Sequence, residues 1–79
     1  MKKTRLLMID DNEELINAVE EYFKNNDKIE LVYRAHNGKD GLELIKSKDD
    51  YDVIILDLIM NGMHGDEVLE EMRRGDERH

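Results

Sequence analysis

The chain has 79 residues, a length that suits at most one domain with a small hydrophobic core. It contains no cysteine, which excludes disulfide bonds and thiolate metal sites, and its 20 acidic against 12 basic residues give a net charge near −8, which argues against binding a nucleic-acid backbone. The longest apolar run is four residues, so the sequence predicts neither a membrane span nor a signal peptide, and we expect a cytoplasmic protein.

Strands and helices are predicted to alternate from the N-terminus onward. The apolar run within residues 4–10 is typical of a strand buried on both faces. Residues 12–25 predict a helix, whose apolar face is formed by Leu15, Ile16, Val19, Tyr22 and Phe23. Residues 29–35 predict a strand near a sheet edge, although Val32 breaks its alternating pattern.

The second half of the chain continues this alternation. A turn at Asn37-Gly38 leads into a short helix over residues 39–47, and residues 53–56 form the most β-branched run, which predicts a third strand. Asn61-Gly62 could form a hairpin turn, but the apolar residues within 63–74 have helical rather than alternating spacing. The order strand-helix repeated three times predicts a parallel sheet with right-handed crossovers.

Three aspartates follow the first and third predicted strands. Asp10 and Asp11 close one apolar run, and Asp57 closes the other. If the two strands are parallel neighbours, the three carboxylates meet at one edge of the sheet, where ligands of open α/β sheets collect. Helix capping is the alternative for the first pair, since Asp11 or Asn12 could cap the helix that follows. Capping explains neither Asp10 nor Asp57.

A cluster of carboxylates needs a compensating charge. Two carboxylates about 4 Å apart repel by roughly 4 kcal/mol at an effective dielectric near 20. Mg²⁺ suits such a cluster because it takes one or two carboxylates, keeps several waters and shares phosphate oxygens. The sequence therefore predicts a Mg²⁺ site with a nucleophilic carboxylate beside it.

The spacing of these motifs resembles the response-regulator receiver domain of two-component signalling. The motifs are residues 7–12, Asn37-Gly38 and residues 55–60 with Gly65, and residues 11–15 with Glu21-Tyr22 are similar to sporulation-type receivers. The resemblance implies an α/β, three-layer flavodoxin-like fragment. Its parallel three-stranded sheet would have the order 2-1-3 and (βα)3 connectivity.

The same resemblance implies the role of each site residue. Asp57 would accept a phosphoryl group from a histidine kinase or phosphotransferase, and the chain would not be an enzyme. The metal site would consist of Asp11 as a direct Mg²⁺ ligand, Asp10 through water, Asp57, and Ile59 through its backbone carbonyl. His64 stands where the family commonly has Asp or Asn, and we expect it to be solvent-exposed rather than a ligand or phosphodonor. Asn61 stands where Pro is common.

The match to the family is incomplete. A receiver has five strand-helix units, whereas residues 1–79 supply three and are interpreted as a truncated receiver domain. The Ser or Thr that ends strand four and the Lys that ends strand five are not among the 79 residues. We therefore expect weak Mg²⁺ binding and poor or no stable phosphorylation.

An unpaired apolar edge strand promotes association. Residues 52–57 would form such an edge, so we expect a homo-oligomer, in particular a dimer, that buries it. Two alternatives remain open: a self-associating structural half-domain with a vestigial acidic site, and a kinase-binding decoy that uses Leu15, Ile16 and Val19 on the first helix.

Overall fold

Three strands and three helices alternate in the computed structural model, which describes residues 2–60 and 62–76. They are β1 (Thr4–Ile9), α1 (Glu13–Phe23), β2 (Ile29–Ala35), α2 (Gly38–Ser47), β3 (Val53–Leu56) and α3 (Gly65–Asp76). Every predicted element is present, and no strand follows β3 in this part of the chain, so the hairpin alternative is excluded. Of the predicted turn, Asn61 lies outside the described residues, whereas Gly62 has a φ of +81°.

The sheet is parallel and has the strand order β2-β1-β3, as the family resemblance implies. Its central strand β1 is buried on both faces from Leu6 to Ile9. β2 lies at one edge, where Leu6 pairs with Leu31 but Leu7 pairs with Tyr33, so one residue of β2 is skipped. The skipped residue is Val32. The break in the alternating sequence pattern is therefore a β-bulge.

Each face of the sheet carries its own apolar cluster. Leu6 and Met8 pack with Ile16 under α1. Leu7 and Ile9, which point to the other face, pack with residues of α2 and α3 such as Leu42 and Val68. The two clusters arise from the strict alternation of side chains along β1. Helices on both sides of one sheet give the three layers that were predicted.

The apolar face of α1 is wider than the surface that α1 buries. Ile16 is fully buried, but Leu15 is 43% and Tyr22 79% exposed, so part of the predicted apolar face does not pack on the sheet. The helix rests on the sheet along the side of Ile16 and Phe23, and the other border of its apolar stripe faces away. Because Ile16 is buried, it is not available to a partner, which counts against the decoy alternative.

A polar clamp ties the connection before β3 to the start of β1. The Arg5 Nε donates to the Asp50 carbonyl at 2.6 Å, and the Tyr33 hydroxyl donates to the Asp50 carboxylate at 2.5 Å. That hydrogen bond raises the pKa of the Tyr33 phenol and lowers the pKa of the Asp50 carboxyl. The clamp lies at the N-terminal edge of the sheet, opposite the three aspartates.

No helix in the described ranges is both long and apolar enough to cross a bilayer.

Candidate functional site

The register between β1 and β3 brings Asp10 and Asp57 side by side. Ile9 pairs with Leu56 as the last residue of each strand, so the next residue of each strand is an aspartate. The Asp57 N–H continues the ladder by donating to the Ile9 carbonyl at 2.9 Å, and the Asp10 N–H donates to the Ala35 carbonyl at 3.1 Å. Backbone pairing therefore holds both aspartates at the carboxyl edge of the sheet.

Asp11 completes a cluster of three carboxylates. One oxygen from each of Asp10, Asp11 and Asp57 lies within 4.8 Å of the other two. Asp10 is only 9% exposed, Asp57 is partly buried and Asp11 is exposed, so the cluster opens to solvent on the Asp11 side. The predicted convergence of the three side chains is thus present in the structure.

Local hydrogen bonds orient the first aspartate and assign the helix cap. The Asp10 carboxylate accepts the Asn12 N–H at 2.9 Å, which forms an Asx turn. Asn12 in turn accepts the Leu15 N–H at 3.1 Å and is the N-cap of α1. Of the two capping candidates in the sequence, Asn12 caps the helix and Asp11 belongs to the carboxylate cluster.

The third aspartate is oriented by the loop that follows it. Asp57 Oδ1 accepts the Ile59 N–H at 3.1 Å. The Ile59 side chain is 80% exposed, so residue 59 is held by the hydrogen bond of its N–H to Asp57 rather than by side-chain packing. The role of the Ile59 carbonyl as a metal ligand remains a prediction.

Two glycines allow this loop to lie against its neighbours. A Cβ on Gly65 would stand 2.4 Å from the Asp57 carbonyl oxygen and 2.6 Å from the Leu58 Cα. A Cβ on Gly38, at the start of α2, would stand 2.4 Å from the Met63 carbonyl oxygen. The backbone at Asp57 therefore lies against the start of α3, and the backbone at Met63 lies against the start of α2.

Sequence reasoning missed one contact in the loop. His64 is exposed, as predicted, but its Nδ1 accepts the Met60 N–H at 3.2 Å. The sequence offered one indication, since a histidine replaces the Asp or Asn that is common in the family at this position. Any of these side chains can place an acceptor atom on Cγ.

The donor set fits a hydrated divalent cation. Oxygens bound directly to one Mg²⁺ lie at most about 4.2 Å apart, because each Mg–O bond is about 2.1 Å. Three carboxylates within 4.8 Å therefore suit an ion that binds one or two of them directly and the rest through coordinated water. Oxygen-only donors and an open, solvent-facing side both favour Mg²⁺ over softer metals.

Comparison with known proteins decides the family. The family profile described as the response regulator receiver domain matches residues 6–79. The chain belongs to the response regulator receiver family. Among curated proteins, this receiver is 41% identical to the nitrate/nitrite response regulator protein NarL of Escherichia coli (strain K12) over 68 residues.

Solved structures agree with that assignment. The receiver domain of the Francisella response regulator 1452 superposes with a TM-score of 0.81 at 28% identity over 94% of this chain. A structure titled as adenylate cyclase from Rhodopirellula baltica superposes with a TM-score of 0.78 at 30% identity over 92% of the chain. The strand order β2-β1-β3 is thus that of a receiver sheet.

The receiver chain is shorter than the proteins it matches. The region aligned with NarL covers 86% of this chain but only 31% of NarL. The chain spans 59% of the Francisella chain and 52% of the Rhodopirellula chain. What those longer proteins do as a whole is therefore a matter of proposal for these 79 residues.

Proposed function

We propose that the chain is a phosphoacceptor module of two-component signal transduction, in which Asp57 accepts a phosphoryl group beside a bound Mg²⁺. The convergence of three carboxylate oxygens within 4.8 Å at the carboxyl edge of a receiver sheet carries this proposal. Asp57, which follows β3, is the acceptor, and it would hold the cation together with Asp10 and Asp11, which follow β1. The Ile59 carbonyl completes the protein ligands.

The proposed reaction is a phosphoryl transfer from a phosphohistidine of a histidine kinase or phosphotransferase. A carboxylate oxygen of Asp57 attacks phosphorus, the new P–O bond forms, and the P–N bond to histidine breaks. The bonding electrons go to the imidazole nitrogen, which remains with the donor protein. Mg²⁺ supplies positive charge that offsets the negative charge of the transferring oxygens. The chain acts as a signalling module and not as an enzyme with a separate substrate.

Residues 2–60 and 62–76 form three strands, and we propose that the 79 residues by themselves bind Mg²⁺ weakly and are phosphorylated poorly. The family resemblance assigns the hydroxyl that contacts the phosphoryl group to strand four and the ammonium to strand five. Without that hydroxyl and that ammonium, less of the negative charge on the transferring phosphoryl oxygens is neutralised. The acyl phosphate at Asp57 also remains open to water.

Phosphorylation of the isolated chain tests this proposal. The chain is incubated with Mg²⁺ and a small phosphodonor, and intact mass spectrometry measures the added phosphoryl group. We expect a small phosphorylated fraction that requires Mg²⁺ and disappears in Asp57→Asn, but not in Asp49→Asn, a control on the opposite edge of the sheet. Stable, stoichiometric phosphorylation would contradict the proposed weakness, and Mg²⁺-independent labelling would contradict the proposed site.

We also propose that the chain forms a homodimer through the edge of residues 52–57. β3 is the outer strand of the sheet on this side, and its Val53 and Ile55 side chains are 45% and 38% exposed. They alternate with Ile54 and Leu56, which pack under α2 and α3, so they lie on the α1 face. An open ladder edge with apolar side chains favours pairing with a second copy.

Sedimentation velocity tests the dimer. Val53→Lys places a charge on the open edge, and we expect it to shift the protein from dimer to monomer at micromolar concentration. Tyr22→Lys is the matched control, because Tyr22 is an exposed apolar residue on α1, and it should leave the dimer intact. A wild-type protein that sediments as a folded monomer rejects the dimer.

A further inference from the structure

We infer that His64 is a positioning residue for the cation site, because its imidazole fixes the peptide group that carries the Ile59 carbonyl oxygen. The Met60 N–H donates to His64 Nδ1 at 3.2 Å. The inference rests on the proposed function, in which that carbonyl oxygen is a ligand of Mg²⁺. His64 itself does not contact the cation.

The backbone of His64 is held firmly at the start of α3. Its carbonyl accepts the N–H groups of Glu67 and Val68 at 3.0 and 3.1 Å, and its own N–H donates to the Glu67 carboxylate at 3.4 Å. The bond from the His64 N–H to the Glu67 carboxylate is one half of a capping box. The next residue, Gly65, lies against the backbone of Asp57, and Val68 is fully buried. The imidazole therefore projects from a rigid base.

The hydrogen bond to Met60 controls the direction of the Ile59 carbonyl. Both groups belong to one planar trans peptide unit, in which the N–H and the C=O point in opposite directions. When His64 fixes the direction of the N–H, the carbonyl oxygen is fixed as well. An acceptor on the N–H also draws electron density toward the carbonyl oxygen, since linked hydrogen bonds polarise one another.

Hydrogen bonds are the main restraint on residue 59. Its side chain is 80% exposed and contributes little packing, whereas the neighbouring Met60 side chain is 1% exposed and anchors the far end of the peptide unit. On the other side, the Ile59 N–H is held by Asp57 Oδ1 at 3.1 Å. Asp57 and His64 together therefore fix both peptide groups of Ile59.

The chemistry of Nδ1 suggests two matched variants. Because Nδ1 accepts a hydrogen bond, the neutral imidazole carries its proton on Nε2. Asparagine places its Oδ1 acceptor on Cγ, where histidine has Nδ1, so His64→Asn keeps an acceptor for the Met60 N–H. Leucine has the same branching at Cγ but no acceptor, so His64→Leu removes the bond and keeps the bulk.

We expect His64→Leu to weaken Mg²⁺ binding about tenfold, as is typical when an outer-shell partner of a ligand is lost. We expect His64→Asn to stay within about twofold of the wild type. Titration with MgCl₂, followed by the NMR amide shifts of Asp11 and Asp57, measures the affinity. In the metal-free proteins, the Met60 amide proton should move upfield in the leucine variant and remain near its original position in the asparagine variant.

The tautomer of the wild-type imidazole provides a test that needs no variant. Nitrogen-15 shifts should show an unprotonated Nδ1 and a protonated Nε2, and the reverse would overturn the inference even if the leucine variant failed to fold. If His64→Leu binds Mg²⁺ with the affinity of the wild type, the positioning role of His64 is rejected, but the proposed cation site is not. A wild-type protein that does not respond to Mg²⁺ rejects the proposed site and, with it, the need for a positioning residue.

Discussion

Replacing Gly65 by alanine is expected to destabilise the protein by about 3 kcal/mol and to lower its melting temperature by roughly 10 °C or more. The added Cβ would stand 2.4 Å from the Asp57 carbonyl oxygen and 2.6 Å from the Leu58 Cα. Both are backbone atoms, so no rotation of a side chain can relieve the clash. Either α3 or the end of β3 must move.

The direction of this effect is opposite to that of helix propensity. Alanine is the better helix former by about 1 kcal/mol, and Gly65 is the first residue of α3. Gly75→Ala is the matched control in the same helix, because a Cβ there meets nothing within 4 Å. We expect the control to be neutral or slightly stabilising. Thermal unfolding of both variants gives the comparison, and a Gly65→Ala protein as stable as the wild type would refute the tight packing.

The same substitution is expected to disturb the carboxylate cluster. The Asp57 carbonyl and the Leu58 Cα are next to the Asp57 side chain along the backbone, so their displacement moves that side chain relative to Asp10 and Asp11. Gly65→Ala should therefore also weaken Mg²⁺ binding. Gly75→Ala should not.

Asp57→Asn is expected to stabilise the metal-free protein by about 1–3 kcal/mol. The three carboxylate oxygens lie within 4.8 Å of one another, and the substitution removes the charge of one of them. The asparagine Oδ1 can still accept the Ile59 N–H, so the local hydrogen bond is kept. The gain is then the relief of charge repulsion and should shrink as salt concentration rises.

Magnesium should reduce the difference in stability between the two proteins. A ligand that binds the folded state stabilises it by about 1.4 kcal/mol at ten times its dissociation constant. The wild type should gain this stability with MgCl₂, and Asp57→Asn should gain much less. Asp49→Asn, an exposed carboxylate on the opposite edge, should change stability by less than about 0.5 kcal/mol with or without the ion.

Chemical denaturation with and without MgCl₂ measures both effects. An Asp57→Asn protein that is less stable than the wild type without the ion would show that Asp57 is held by contacts stronger than the repulsion. Equal responses of both proteins to MgCl₂ would place the cation elsewhere.

The sequence pattern was sufficient for the elements and for the convergence of the aspartates, whereas the strand order was implied by the family resemblance. The apolar runs differ clearly from the helical segments, and both runs end in an acid, so parallel pairing brings the acids together. Even the irregularity at Val32 had a structural cause, since that residue is the one skipped in the pairing of β2 with β1.

Details that depend on backbone proximity could not be predicted. The apolar spacing of α1 does not show how far the helix rolls on the sheet, and Tyr22 is exposed for that reason. The need for glycine at position 65 depends on the distance between α3 and β3, which no local pattern encodes. The bond from Met60 to His64 likewise requires the loop to fold back on itself.

The proposed function requires Asp10, Asp11 and Asp57 together to hold one divalent cation. The most direct measurement is an NMR titration of the wild-type chain with MgCl₂, in which all backbone amides are followed. We predict saturable shifts confined to residues 10–12 and 57–60, with a common dissociation constant. Shifts that are absent, or spread evenly over the acidic surface without saturation, would contradict the account.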